Sequence, residues 1–238
     1  MSENSNPPQK CDPKRCLKLA RSITKICSDR KWAPDSPFML DNPDGSVCYC
    51  TCFLFGFESK TSILTRGFSF KKASAIIPGD TVQASGKEFS WRPVNVDYCS
   101  SYANASLMIM ITFEYADFTY STRVTEDNLI LAGARKLVPA KALKMGDTLC
   151  FYSGTGTNGI GVIKSVASYT SNNLVYQIGT DAPLNPTSFD GHLLCADYVV
   201  VADFTLQAAY ISGLLDRSLL VSDLEQRLQT LPDHLSND

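Results

Sequence analysis

Two stretches of this chain repeat each other. Ala75-Ile-Ile-Pro-Gly79-Asp80-Thr81-Val82 matches Ala142-Leu-Lys-Met-Gly146-Asp147-Thr148-Leu149, and the two Gly-Asp pairs stand 67 positions apart. The same offset carries Val96 onto Ile163 and Leu107–Ile111 onto Leu174–Ile178. Asn128-Leu-Ile-Leu131 precedes His192-Leu-Leu-Cys195 by 64 positions, as if one copy had lost a few loop residues. A single Gly-Asp-Thr is an ordinary turn, chosen for its backbone tolerance. Several segments matched in the same order make a duplication. Two units are too few to stack as a solenoid or propeller, so the copies are expected to pack as one pseudo-symmetric domain around a shared core.

The repeated region is built of strands. Ser106–Thr112, Asn173–Ile178 and Tyr198–Val201 are short, rich in β-formers and mostly bounded by turn residues. Before it, Asp12-Pro13 reads as a helix start, and Cys16, Leu19, Ile23, Ile26 and Cys27 recur at helical spacing to about Arg30. Three prolines and Asp44-Gly45 make Ala33 to Gly45 a linker or loop. After Asp203 the helical pattern returns as a stripe from Leu214 to Leu231, with Ser222 and Glu225 as a capping box and Pro232 as its stop. The division is a helical segment and linker over 1–44, a duplicated β-domain over 45–203 and a helical segment over 204–238.

Hydrophobic residues make up 44% of the chain, enough for a sizeable core. A net charge of −2, from 22 basic and 24 acidic residues, gives no general attraction to nucleic acid. No apolar run approaches the roughly 18 residues of a membrane span. Met1 to Lys10 is polar, with no signal-peptide core behind it, so a cytoplasmic location is expected. Nine cysteines, an odd number, fit free thiols better than a disulfide framework in a chain this long. Cys27, Cys150 and Cys195 sit among apolar residues, where a thiol packs as a small hydrophobe. The Leu214–Leu231 stripe is a surface for the chain's own core, a protein partner or a second copy.

The order of these motifs resembles the hedgehog/intein (Hint) self-processing family over about two thirds of the chain. Thr61–Thr65 matches the family's short strand, and Ile76–Val82 its first Gly-Asp element. Val124-Thr125-Glu-Asp-Asn128-Leu129 matches its Thr-x-x-His element with asparagine for histidine. Lys136–Leu149 matches the second Gly-Asp element, and Ser188-Phe-Asp190-Gly191-His192 the closing one, with aspartate for asparagine. The resemblance implies a mainly β, pseudo-two-fold fold with helical additions at both ends. It implies no cofactor and no metal.

It also implies a chemistry: a cysteine attacks the carbonyl just before it, and a thioester replaces the peptide bond. Cys48, Cys50 and Cys52 alternate on one strand face. Cys52 is the nearest match to the nucleophile, although extra residues separate it from Ile63, and Cys50 is the second choice. The bland alternative is that all three thiols simply pack. Zinc would require the remote Cys11 or Cys16, because three cysteines on one strand cannot close a tetrahedron. Thr125 and Asn128 would polarise the bond, though an amide cannot shuttle a proton. His192, set opposite Asn128 by the repeat, or Asp190 would handle protons. The N-terminal segment would be the substrate, released without splicing, since His192-Leu193 offers no splice junction. The rival is a catalytically degenerate scaffold serving as a binding or structural module. The lost histidine favours the rival; the cysteine cluster favours the enzyme.

Overall fold

The computed structural model describes residues 8–86, 88–103, 106–154 and 158–229. The first unit is small. Helix α1 (Pro13–Asp29) starts at Asp12, whose carboxylate accepts from the amides of Lys14 and Arg15. It buries Cys16, Ala20, Ile23 and Cys27 on one face. That face lies on a three-stranded sheet of β1 (Gln9–Lys10), β2 (Pro37–Asp41) and β3 (Val47–Thr51), ordered β1-β3-β2. The stretch expected to be a linker therefore holds a strand, and Asn42–Gly45 is its hairpin turn: the Gly45 amide donates to the Asn42 carbonyl. The cysteines of β3 do share one buried face, but not as free thiols. Cys11–Cys48, Cys16–Cys50 and Cys27–Cys52 are disulfides. Cys150 and Cys195 are buried and free, as their apolar settings suggest, and Cys99 is free and half-buried.

The second unit is a 14-stranded sheet that begins after the last bridged cysteine. Its strands are β4 (Phe57–Glu58), β5 (Ser62–Thr65), β6 (Ser69–Lys72), β7 (Thr81–Ser85), β8 (Arg92–Tyr102), β9 (Ser106–Tyr115) and β10 (Phe118–Thr125). They continue with β11 (Leu129–Leu131), β12 (Leu137–Pro139), β13 (Thr148–Tyr152), β14 (Asn158–Ser171), β15 (Val175–Thr180), β16 (Leu193–Ala196) and β17 (Val199–Ala202). The order is β12-β11-β17-β13-β14-β9-β10-β4-β15-β8-β7-β16-β5-β6. Read outward from the β10–β4 pair, each strand meets its partner in the other half.

The repeat is visible bond by bond. Gly79 and Gly146 take positive φ of 93° and 89°, the left-handed turn that glycine adopts at no steric cost. The Gly79 amide donates to Val96 at 2.8 Å and the Gly146 amide to Ile163 at 2.9 Å. The Asp80 and Asp147 carboxylates each accept from the amide three residues before them, at 2.9 Å. The long strands are exchanged: β8 pairs with β15 (Ser100 opposite Gln177), and β14 with β9 (Ala167 opposite Met110). Even the register shift recurs, at Gly179/Thr180 in one ladder and Ile163/Ser165 in the other.

The 64-position match has a different meaning from the 67-position one. Strand β11 is the symmetry partner of β5, so the twin of Asn128 is Thr61. The Ala73 and Ala140 amides donate to the carbonyls of Thr61 and Asn128 respectively. His192 stands just before β16, whose counterpart across the sheet is β17. The 64-position match is a likeness between two strand starts, not a symmetry relation.

Helix α2 (Phe204–Ser212) begins at Asp203 and ends at Gly213 in the left-handed conformation. The leucine stripe beyond it is not one helix. Gly213 and the Asp216-capped 3-10 turn Arg217–Leu219 break it, and a helix resumes only at α3 (Leu224–Gln229). Leu215, Leu219 and Leu224 are buried on their own chain, so the stripe closes the sheet at one end. Leu231 and Pro232 fall outside the described residues. No helix of the described residues is long and apolar enough to cross a membrane.

Candidate active site

The pseudo-dyad passes between β4 and β10, where Phe57 faces Val124. Beside that pair, Thr125 and Asn128 converge on one residue, Gly56. The Gly56 amide donates to Thr125 Oγ1 at 3.0 Å. The Gly56 carbonyl accepts twice, from the Thr125 amide and from Asn128 Nδ2, each at 3.1 Å. Two donors on one buried carbonyl oxygen are the arrangement that stabilises a developing oxyanion. Asn128 Oδ1 is buried without a hydrogen-bond partner among the described residues. The twin contact on the other side of the dyad is Thr61 Oγ1 to the Arg123 carbonyl, at a long 3.5 Å.

The turn that carries this clamp is held from three directions. The Asn128 amide donates to the Thr125 carbonyl, Lys141 pairs with Asp127 at 2.6 Å, and Gln207 of α2 receives the Leu129 amide and donates to the Asp127 carbonyl. Gly56 itself is fixed. Its φ is +148°, and a Cβ there would lie 2.2 Å from the Tyr176 carbonyl oxygen on β15. Only glycine fits. The whole strap from Cys52 to Glu58 is buried.

The other candidate residues lie elsewhere. Cys52 and Cys50 point at α1, each in a disulfide, and a bridged sulfur is no nucleophile. The Cys52 amide donates to the Ser36 carbonyl, four residues before the clamp. Asp190 is exposed and paired with Arg92 at 2.9 Å. His192 is fully buried, but its ring meets Asp203 at 3.1 Å and Thr180 at 3.4 Å rather than Asn128. Burial pulls its pKa down, and the Asp203 charge and hydrogen bond, with the Pro183 carbonyl, outweigh that and raise it. Asp203 also accepts from the Thr180 and Leu206 amides, so the carboxylate serves as a structural cap for α2.

Of the six candidates, the structure brings together Thr125 and Asn128 only. Gly56 was missed. Its signal was present in the surplus of residues between Cys52 and Ile63, which Gly56 reduces by four.

The fold around this centre is a duplicated β-fold that solved structures share. The crystal structure of a DnaB intein from Synechocystis matches 63% of this chain and 99% of its own, with a TM-score of 0.52 at 8% identity. The solution structure of a bacterial intein-like domain from Clostridium thermocellum matches 62% and 97%, with a TM-score of 0.50 at 20% identity. The crystal structure of an intein from a hyperthermophile matches 63% and 100%, with a TM-score of 0.50 at 11% identity. No family model matches the chain, and no curated protein matches it in sequence. At these identities the likeness is one of fold. The chain carries the Hint fold of the inteins.

Proposed function

We propose that this chain is a catalytically silent Hint scaffold, a structural module that holds the disulfide-knit N-terminal unit on the β-domain. The observation that carries the reading is the residue in the clamp. An acyl shift needs a nucleophilic side chain on the residue that follows the attacked carbonyl. For the Phe55–Gly56 bond that residue is Gly56, which has no side chain. For the Gly56–Phe57 bond it is Phe57, an apolar ring. The donors of an oxyanion site remain, aimed at a bond with nothing to attack it.

The interface between the units supports a holding role. Phe55 stacks on Phe204 at 5.3 Å, Arg21 pairs with Asp97 at 2.7 Å, and Gln177 donates to the Phe53 carbonyl at 2.6 Å. Three disulfides suit an oxidising compartment better than the cytoplasm. The second reading, cleavage before Cys52 by an N–S shift, keeps one point in its favour: the doubly hydrogen-bonded Gly56 carbonyl is a polarised peptide. It requires opening Cys27–Cys52 and moving the strap by four residues.

Intact mass of freshly purified, N-terminally tagged protein tests the proposal, with and without thiol and hydroxylamine. The expected result is one uncleaved mass for wild type and for Asn128→His, which restores the family's histidine. A thiol-dependent fragment that disappears in Cys52→Ala would overturn it.

A further inference from the structure

The N-terminal unit crowds its sulfurs unevenly. The Sγ atoms of Cys11, Cys16 and Cys50 all lie within 4.8 Å of one another, although only Cys16 and Cys50 are bonded together. Cys48 adds a fourth sulfur, bonded to that of Cys11. Cys27–Cys52 is not part of the group. A tetrathiolate zinc site has Zn–S bonds of about 2.3 Å, hence sulfur–sulfur edges of about 3.8 Å. Cys11 Sγ thus stands no more than about 1 Å beyond that spacing from both sulfurs of the Cys16–Cys50 pair, which must separate once its bond is cut. Cys48, released from Cys11 in the same way, is the fourth cysteine at hand.

We propose that, when its disulfides are reduced, this unit binds one zinc ion through Cys11, Cys16, Cys48 and Cys50. The backbone is already arranged for it. Parallel pairing of β1 with β3 sets Gln9 opposite Cys48, and the Cys11 amide donates to the Tyr49 carbonyl at 2.8 Å. Cys16 lies in the first turn of α1, where the positive end of the helix dipole favours thiolate. Arg15 Nη1 stands 3.5 Å from Cys48 Sγ, a fixed positive charge beside a centre that would carry two net negative charges. All four cysteines are buried, so the site excludes water once formed.

The exchange balances. Each of two disulfides takes two electrons and two protons from a dithiol reductant, which leaves as a cyclic disulfide. The four thiols then lose four protons as zinc binds. Cys27 and Cys52 are reduced in the same step but gain no metal. The fold therefore has two ways of closing the same unit, two covalent bonds or one ion, according to the redox poise of its surroundings.

Alkylation mapping on the full-length wild-type chain tests this and needs no substitution that might unfold it. The protein is reduced anaerobically with a phosphine, loaded with zinc, treated with a thiol alkylator under native conditions and digested for mass spectrometry. The expected result is that one equivalent of zinc slows alkylation of Cys11, Cys16, Cys48 and Cys50 relative to the reduced, zinc-free protein, and leaves the alkylation rate of the buried Cys27 and Cys52 unchanged. Cobalt in place of zinc should give the intense visible bands of a tetrahedral tetrathiolate, and those bands should be absent from the oxidised protein. An alkylation rate of the four that zinc does not change overturns the proposal, and so does an equal zinc-dependent slowing at Cys27 and Cys52.

Discussion

Replacing Gly56 with alanine puts a methyl carbon 2.2 Å from the Tyr176 carbonyl oxygen and 2.9 Å from its carbon. Neither neighbour can step aside. Tyr176 is in the middle of the sheet, paired with Phe57 on one side and Ser101 on the other. The substitution also forces a side chain into φ +148°, which costs about 1–3 kcal/mol. Overpacking against fixed backbone adds about 1–3 kcal/mol. Together they cost about 4 kcal/mol, a large part of the 5–15 kcal/mol that holds a typical domain. For a chain of this size that is a fall in melting temperature of roughly 8–16 °C. Gly67→Ala is the control. Gly67 also has positive φ, +77°, but a Cβ there meets nothing within 4 Å, so only the left-handed penalty of about 1–2 kcal/mol applies. Thermal and denaturant melts of both variants, disulfides intact, make the comparison. If Gly56→Ala melts no lower than Gly67→Ala, the steric account of the clamp is wrong, and Gly56 could have been a cysteine.

Three further outcomes follow from other parts of the molecule. Removing Cys27–Cys52 with alanines opens a loop of 25 residues, worth about 3.5 kcal/mol in chain entropy; denaturant midpoints that hardly move would contradict that origin. His192 has a raised pKa, so its pairing with Asp203 contributes fully below the ordinary value of 6.5 and is lost as pH rises through the raised one. Unfolding free energy should fall with pH above 6.5 in wild type, and His192→Gln should lack that slope; parallel curves would exclude the pair as its source. Leu224→Glu buries a carboxylate where the tail meets the main core and should cost about 2–4 kcal/mol without changing the oligomeric state. An unaltered melt, or a shift from dimer to monomer by light scattering, would count against the tail as an intramolecular seal.

The duplication was legible because turns and strand starts repeat chemically: Gly-Asp needs the same φ and the same carboxylate-to-amide bond in both halves. The fold followed from it. What misled was local likeness without topology. Asn128-Leu-Ile-Leu131 and His192-Leu-Leu-Cys195 look alike because both open buried strands, yet only pairing reveals that Thr61 is the true twin of Asn128. The cysteines misled differently. Alternation placed Cys48, Cys50 and Cys52 on one face, and helical spacing placed Cys16 and Cys27 on another, but nothing in one sequence says that the two faces meet. Over the described residues the leucine stripe kept its apolar character but not one continuous helix, since Gly213 and the Asp216-capped turn redirect the chain before α3. Gly56 was hidden because a missing side chain leaves no motif; the surplus of residues between Cys52 and Ile63 is its one trace in the sequence.

The exchanged strands have a consequence for how the chain comes into being. Ser100 must wait for Gln177, which is 77 residues later, before β8 gains its partner on that side. At cellular synthesis rates that is roughly 4–15 s during which the edge of the nascent first half offers unpaired amides and carbonyls to any passing strand. Neither half can complete its hydrogen bonding alone. A ribosome stalled between Tyr152 and Asn158 would therefore hold out a sticky half-sheet, and chaperones that recognise exposed β edges should capture it there and release it once β15 is made.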